Sequence, residues 1–469
     1  MIDLHLISSG ISKVKEETDA NVASVPETAC DELFKRKTES LRWCIVVMTG
    51  VLASTTLSSC LHGRSAPRVD AIANAGDSSL APESVREQSN LGVDVTGVTS
   101  SEIKIGQSMV YSGPASAYGT IGRAETAYFK MINDKGGIHG RTINLISLDD
   151  GYNPARAIEH TRELVENEHV AFMFNSIGTA NNIAVQKYLN DKKVPQLFVA
   201  TGADRWGDPE HFPWTIGWQP SYRLESRIYA KYIMKEKSGA KMCVLYQNDD
   251  FGNDYLKGLH EAFGDQFDKV VIKTAPYEAT DPTIDSQIVT LQGAGCDTLL
   301  AAAVPKFAAQ AIRKVAEIGW KPLFFVSNVS VSLTAVLKAA GTDKSTGIIS
   351  GAYAKDPSDP AMANDPGMKE YMAWARQYIP DIDPTDVNAV YGFALGGTIV
   401  RVLTACGNDL SRANIMKQAA SLHHAKLPVL IDGIELNTSA TDFRPVKQLQ
   451  LRRFDGVRFN SFGSILSSD

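Results

Sequence analysis

Four short stretches carry the residue types that could hold or transform a small molecule: YSGPASAYG (111–119), NSIGTANN (175–182), ATGADRW (200–206) and QNDDFGNDY (247–255). Each follows an apolar run of strand character. The second and third combine glycine, small hydroxyl side chains and main-chain N–H groups at a helix start, an arrangement that holds a carboxylate without a cationic side chain. Thr179, Thr201 and the amide of Ala203 are the candidate donors. For any one loop, ordinary capping and turn chemistry explains the same residues equally well, but their joint appearance favours binding. Reaction chemistry has less support. The nucleophile elbow GxSxG, the phosphate loop GxxxxGK[ST] and the dinucleotide fingerprint GxGxxG do not occur in the chain. Asp249 and Asp250 are adjacent acids in a polar loop, where such pairs cap the next helix or face water more often than they transfer protons. The expectation is a binding protein, not an enzyme, with no cofactor and no metal.

The elements that must position these loops alternate from Glu102 onward. IKIGQSMV precedes a helix with Ile121, Ala124, Tyr128 and Met131 on one face, stopped by Gly136 and Gly137. INLISL leads to a helix opened by Asn153 as N-cap and Pro154 at the first helical position. VAFMF, a helix near 180–191, and QLFVA follow. The pattern restarts at Ser221 with a helix, then KMCVLY, KVVIKT, DTLLAAA and PLFFV, each separated by amphipathic segments. Short continuous apolar strands between such helices indicate parallel sheets covered on both faces. Two runs of this kind predict an α/β fold of two doubly wound lobes, with ligand expected beyond the carboxyl ends of the strands. Late in the chain, YGFALGGTIVRVLTAC reads as a long helix, and QLQLRRF beside GVRFNSF as an antiparallel pair.

Totals narrow the partners. At 469 residues, with a formal net charge of -6 and dispersed Lys and Arg, the chain has no basic field to collect phosphates, so no nucleic acid partner is expected. The six cysteines show neither CxxC nor metal spacing, and Cys243 and Cys296, beside apolar runs, read as buried thiols. Residues 43–59, preceded by a basic segment, suit the apolar region of a secretion signal better than a membrane span. They end in Leu57-Ser58-Ser59-Cys60, similar to a bacterial lipobox in which the cysteine receives the lipid. We therefore expect residues 1–60 to be a signal and lipoprotein leader, 61–100 a flexible tether rich in Ser, Ala, Gly and Asp, and Cys60 the lipid-anchored, and only, membrane attachment of a monomer in the periplasm or cell envelope.

The order SGPASAYG, MINDKGGIHGR, LISLDDGYNPARA, VPQLFVATGA and NDDFGNDY resembles the type I periplasmic binding proteins, nearest to the leucine/isoleucine/valine-binding group that feeds ABC transporters. The resemblance covers about residues 101–460. It implies two Rossmann-like lobes joined by three crossovers, 101–218 with 352–429 and 219–351 with 430–469, and a hinge near Trp218 and between Ser330 and Gly351. It implies a ligand carboxylate at Thr179, Thr201 and Ala203, cleft walls from Tyr118 and Phe251, and a permease and ATPase as partners. The family's acid for an amino acid's ammonium is matched by Asn328, and its neighbouring tyrosine by Val304. Burying an ammonium without a counter-charge costs about several kcal/mol, so a small carboxylate ligand with an apolar or aromatic body is expected, with an amino acid as runner-up should Asp249, Asp250 or Glu225 supply the charge. A sensory domain of the same fold is a further alternative. The family's small disulfide has no counterpart, its positions being Asn153 and Gly178, so stability is expected from the cores alone.

Overall fold

The computed structural model describes residues 95–467. The leader, Cys60 and most of the tether lie outside the described residues. The strands are β1 (Glu102–Met109), β2 (Thr142–Asp149), β3 (Met173–Phe174), β4 (Gln196–Val199), β5 (Thr215–Gly217), β6 (Met242–Gln247), β7 (Val271–Tyr277), β8 (Thr298–Ala302), β9 (Leu323–Val326), β10 (Ile349–Ala352), β11 (Gln448–Phe454) and β12 (Phe459–Ser467). They build two sheets, β2-β1-β3-β4-β5 and β12-β11-β10-β9-β8-β6-β7. Every pairing in the first sheet is parallel. The second is parallel from β7 to β10, and β11 and β12 close its far edge antiparallel. The two doubly wound lobes expected from the alternation are present. The apolar run VAFMF contributes only its last two residues as a strand, although Ala171 and Phe172 still hydrogen-bond to β1. β5, a three-residue edge strand, is too short to show a period and was not foreseen.

The helices of eight residues or more are α1 (Gly119–Asp134), α2 (Pro154–Arg162), α3 (Thr179–Asp191), α4 (Tyr222–Glu236), α5 (Asp250–Phe263), α6 (Asp285–Gly293), α7 (Pro305–Glu317), α8 (Pro366–Tyr378), α9 (Val387–Ala405) and α10 (Arg412–Ala419). Their starts follow from local chemistry. The Asn153 side chain accepts from Ala155 N at 2.9 Å, Ser221 from Leu224 N at 3.2 Å and Asp249 from Phe251 N at 3.0 Å, each satisfying an otherwise orphaned donor. The late helices return to the first lobe. Gly392 of α9 lies where a Cβ would stand 2.7 Å from Ala124 Cβ and 2.8 Å from Ile121 O, so only glycine lets α9 sit this close to α1. Arg412 of α10 donates from Nε to Ala171 O at 2.9 Å and from Nη2 to Val170 O at 2.8 Å. α9 is, among the described residues, the one helix long and apolar enough to cross a membrane, but it is a core helix, mostly buried inside the protein.

One expectation is overturned in the second core. Cys243 on β6 and Cys296 just before β8 form a disulfide across a Cα–Cα distance of 5.8 Å. They are not buried thiols, and the cores do not act alone. β6 and β8 are neighbours in the sheet, which brings together two residues 53 apart in sequence. Closing a loop of that length removes about 4 kcal/mol of chain entropy from the unfolded state. A disulfide also agrees with an oxidising compartment. Cys406, buried, is the one free cysteine among the described residues.

Candidate functional site

Strand order sets where the site opens. β1 lies between β2 and β3, and β6 between β7 and β8, so in each sheet the chain leaves neighbouring strands in opposite directions. Loops diverge at such points and leave a crevice beyond the strand ends. The loops after β1 and β3 deliver Tyr118 and Thr179, and those after β6 and β8 deliver Phe251 and Val304. All four line one cavity, with about 890 Å³ of empty space when the open solvent at its mouth is included, joined by Thr201 after β4 and Asn328 after β9.

At the first-lobe end of the cavity the chemistry is donor-rich and uncharged. Thr179 Oγ1 and Thr201 Oγ1 are 2.5 Å apart, and Thr201 Oγ1 also accepts from Ala203 N at 3.4 Å. The Tyr222 phenol sits against the same Thr201 hydroxyl and the Gly202 backbone, and burial pushes its pKa up. α3 begins at Thr179 with Gly178 at its cap position, and among the described residues no side chain caps its first N–H groups. α2, α4 and α5 each have a side-chain cap. Gly178 and Thr179 both line the cavity, so a positive helix end meets it with no capping side chain among the described residues.

The loop YSGPASAYG forms its wall by a tight turn. Gly113 has φ +79, and a Cβ there would meet Gly151 O at 2.6 Å. The turn carries Tyr118 inward until its hydroxyl is 3.4 Å from Ser330 Oγ of the second lobe. Tyr152 Oη accepts from Gln247 Nε2 at 3.2 Å across the same gap.

Among the described residues no Asp or Glu lines the cavity. Glu225 stands behind Asn328, fully buried, and its oxygens accept from the Tyr255 hydroxyl at 2.6 Å, from Asn328 N at 2.8 Å, and from the Asn328 side chain and the Tyr229 hydroxyl. Burial raises its pKa to about 7, against the lowering effect of these donors. Glu225 therefore orients Asn328 and is spent in doing so. Asp249, which caps α5, also has its pKa raised by burial, and Asp250 forms an ion pair with Arg205 at 3.4 Å.

The remaining walls are aromatic and cationic. Tyr353 and Tyr391 line the cavity and pack edge-on to Trp218, with centroids 5.8 and 5.3 Å away. Phe251 stacks edge-on with Tyr222 at 4.8 Å. Lys355 reaches the wall but is held by Asp365 at 2.7 Å and Asp432 at 2.9 Å. Arg452 of β11 lines the cavity from the second lobe, and burial pushes its guanidinium below its ordinary pKa.

Two lobes and a crevice at both switch points, with a donor patch facing it, describe a ligand cleft, and residues 102–457 match the periplasmic binding proteins. The chain belongs to the periplasmic binding protein family. Its lobes are those of type I, of the leucine/isoleucine/valine-binding kind. A Leu/Ile/Val-binding protein homolog 7 from Brucella abortus is 24% identical over 298 residues, 60% of this chain and 71% of the relative. Among solved structures, a branched-chain amino acid ABC transporter protein from Thermus thermophilus with bound valine superposes with a TM-score of 0.71 at 18% identity, covering 79% of this chain and 98% of that one. An ABC transporter solute-binding protein from R. palustris in complex with benzoate gives 0.66 at 20% identity, covering 78% and 98%. Members of this family are extracytoplasmic binding proteins that serve ABC transporters, and they bind their substrates without converting them.

Of the residues singled out in sequence, Tyr118, Thr179, Thr201, Phe251, Val304 and Asn328 stand on the cavity wall of this periplasmic binding protein. Ala203 does not: it is buried behind Thr201, to which its amide donates. Sequence reasoning missed Tyr152, Tyr222, Tyr353, Tyr391, Lys355 and Arg452. Tyr222 had a local signal, since it follows Ser221 at a helix start. Tyr353, Tyr391 and Arg452 reach the site only because late chain segments return to both lobes.

Proposed function

We propose that this protein captures a small carboxylic acid with an apolar or aromatic body and delivers it, unreacted, to an ABC permease and its ATPase. The observation that carries this reading is a cavity with an uncapped helix end and a threonine pair at one side and, among the described residues, no carboxylate side chain on its wall. A carboxylate at α3 would supply the acceptor that its first N–H groups lack, while Tyr353, Tyr391 and Phe251 cover the rest of the ligand. An α-ammonium would find Asn328 where it needs a negative charge, with Glu225 already fully engaged behind it. The benzoate held by the R. palustris protein fits this reading better than the valine held by the Thermus protein.

In this reading residues 101–218 with 352–429 bind first, and 219–351 with 430–469 close over the ligand as a monomer. Only the ligand's additional contacts in the closed form favour closure. Cys60 would carry the lipid that keeps the protein at the cell envelope. Calorimetry with benzoate, hexanoate and leucine tests the ligand class. Binding of either acid with leucine silent is expected. Leucine binding tighter than both acids would overturn it.

A further inference from the structure

Arg452 lines the cavity yet has no part in the grip on a carboxylate described above. It is 5% exposed, its guanidinium donates no hydrogen bond among the described residues, and Nε is buried without a partner. It forms a loose ion pair with Asp356, whose Oδ2 is 3.7 Å from Nη1 and so beyond hydrogen-bond distance, and the guanidinium carbon lies 4.3 Å over the Phe459 ring.

Two other largely enclosed cations are more fully engaged. Lys355 is held by two carboxylates, and Arg412 spends its donors on the carbonyls of Val170 and Ala171. A guanidinium presents five N–H donors in a fixed fork; Nε is buried without a partner, and a buried unsatisfied donor is costly enough that such groups are nearly always satisfied. The cavity that Arg452 lines gives a bound molecule's oxygen access to it. Glu225 does not provide such an oxygen, because Tyr229, Tyr255 and Asn328 already occupy its oxygens. Thr179 and Thr201 follow strands of the first sheet, whereas Arg452 is on a strand of the second, so the two groups meet different parts of a bound molecule.

We infer that Arg452 receives an acceptor oxygen at the end of the ligand remote from its carboxylate, so that the preferred ligand is a bifunctional acid and not a simple monocarboxylic acid. This rests on the carboxylate reading and narrows it. The oxygen belongs either to a neutral hydroxyl or to a second carboxylate, and the two arms of the test separate these.

The test is calorimetry on the purified full-length chain with benzoate, 4-hydroxybenzoate and terephthalate, and with the aliphatic pair hexanoate and adipate. A charge-assisted hydrogen bond made by one ligand and missing from another is expected to favour the acceptor-bearing acid over its plain counterpart by about tenfold or more. Preference for 4-hydroxybenzoate assigns a neutral acceptor, and preference for terephthalate or adipate an anionic one. In Arg452→Met the ratio of affinities within each series is expected to fall to about one. Arg452→Lys, which keeps the charge but has no Nε–H, should also reduce it, and melting temperatures show whether each variant is folded. If benzoate or hexanoate binds as tightly as its acceptor-bearing partner, or if the ratio survives in a folded Arg452 variant, this inference is wrong while the carboxylate reading stands. If none of the five acids binds, both fall.

Discussion

Replacing Thr179 by valine removes one hydroxyl while preserving shape, which makes it the sharpest probe of the grip. Thr179 is 2% exposed and its Oγ1 is 2.5 Å from that of Thr201, so the change leaves no large cavity but deletes the hydroxyl beside the α3 terminus. In the free protein the loss of the Thr179–Thr201 hydrogen bond costs about 1 kcal/mol of stability. In the complex a donor to an ionised carboxylate is lost, worth about 1.5–3 kcal/mol, which corresponds to roughly 10- to 150-fold weaker binding. Titration calorimetry with benzoate measures the affinity, and the melting temperature of the free protein separates binding from folding. Thr179→Ser keeps the hydroxyl and should stay within a few-fold of the parent. A Thr179→Val protein that melts lower but binds with unchanged affinity would show that the hydroxyl only supports the fold, and the reasoning about the carboxylate would be refuted.

Three further outcomes can be checked, two from the structure and one from the sequence. Glu225 has an ordinary pKa of 4.5 and a folded one of about 7, so the folded state binds the extra proton and loses stability as pH rises between these values, by about 3 kcal/mol in all. Glu225→Gln should flatten the fall in denaturation free energy from pH 4.5 to 8, and an identical slope in the variant would remove Glu225 as its source. A non-reducing digest should yield the Cys243 and Cys296 peptides joined, and Cys243→Ala should lower the melting temperature without changing benzoate affinity, because neither sulfur lines the cavity; recovery of both peptides as free thiols would contradict the pairing. Finally, Cys60→Ser should abolish incorporation of labelled palmitate and release the protein from the membrane fraction, whereas unchanged labelling would place the lipid elsewhere or show that the lipobox is unused.

The sheets were legible because their central strands are continuous apolar runs such as KMCVLY and DTLLAAA, and because Asn153-Pro154 and the Asp249 cap announce helix starts by local chemistry alone. Information carried between distant segments was not. The disulfide depends on β6 and β8 being neighbours, an adjacency that skips β7 in chain order. Arg452 alternates with Gln448 and Gln450 along β11, which reads as a solvent face, yet the Phe459 ring of β12 covers it. Glu225 reads as an ordinary first-turn acid of α4; only the convergence of Tyr229, Tyr255 and Asn328 on it shows why the cavity wall has no negative charge. The loops that hold the candidate carboxylate donors were visible because glycine and threonine at a strand-to-helix junction have a local meaning. Tyr353 and Tyr391, on the aromatic side of the cavity, pack on Trp218 more than a hundred positions away.

The central claim is that an acid is held by its carboxylate at the start of α3. A crystal structure with bound benzoate tests it directly, or with adipate should that bind more tightly. The account predicts carboxylate oxygens within hydrogen-bond distance of Thr179 Oγ1 and the first main-chain N–H groups of α3, with the body of the ligand against Tyr353, Tyr391 and Phe251. A benzoate turned so that its only carboxylate sits on Arg452 and its ring on the threonines would contradict it.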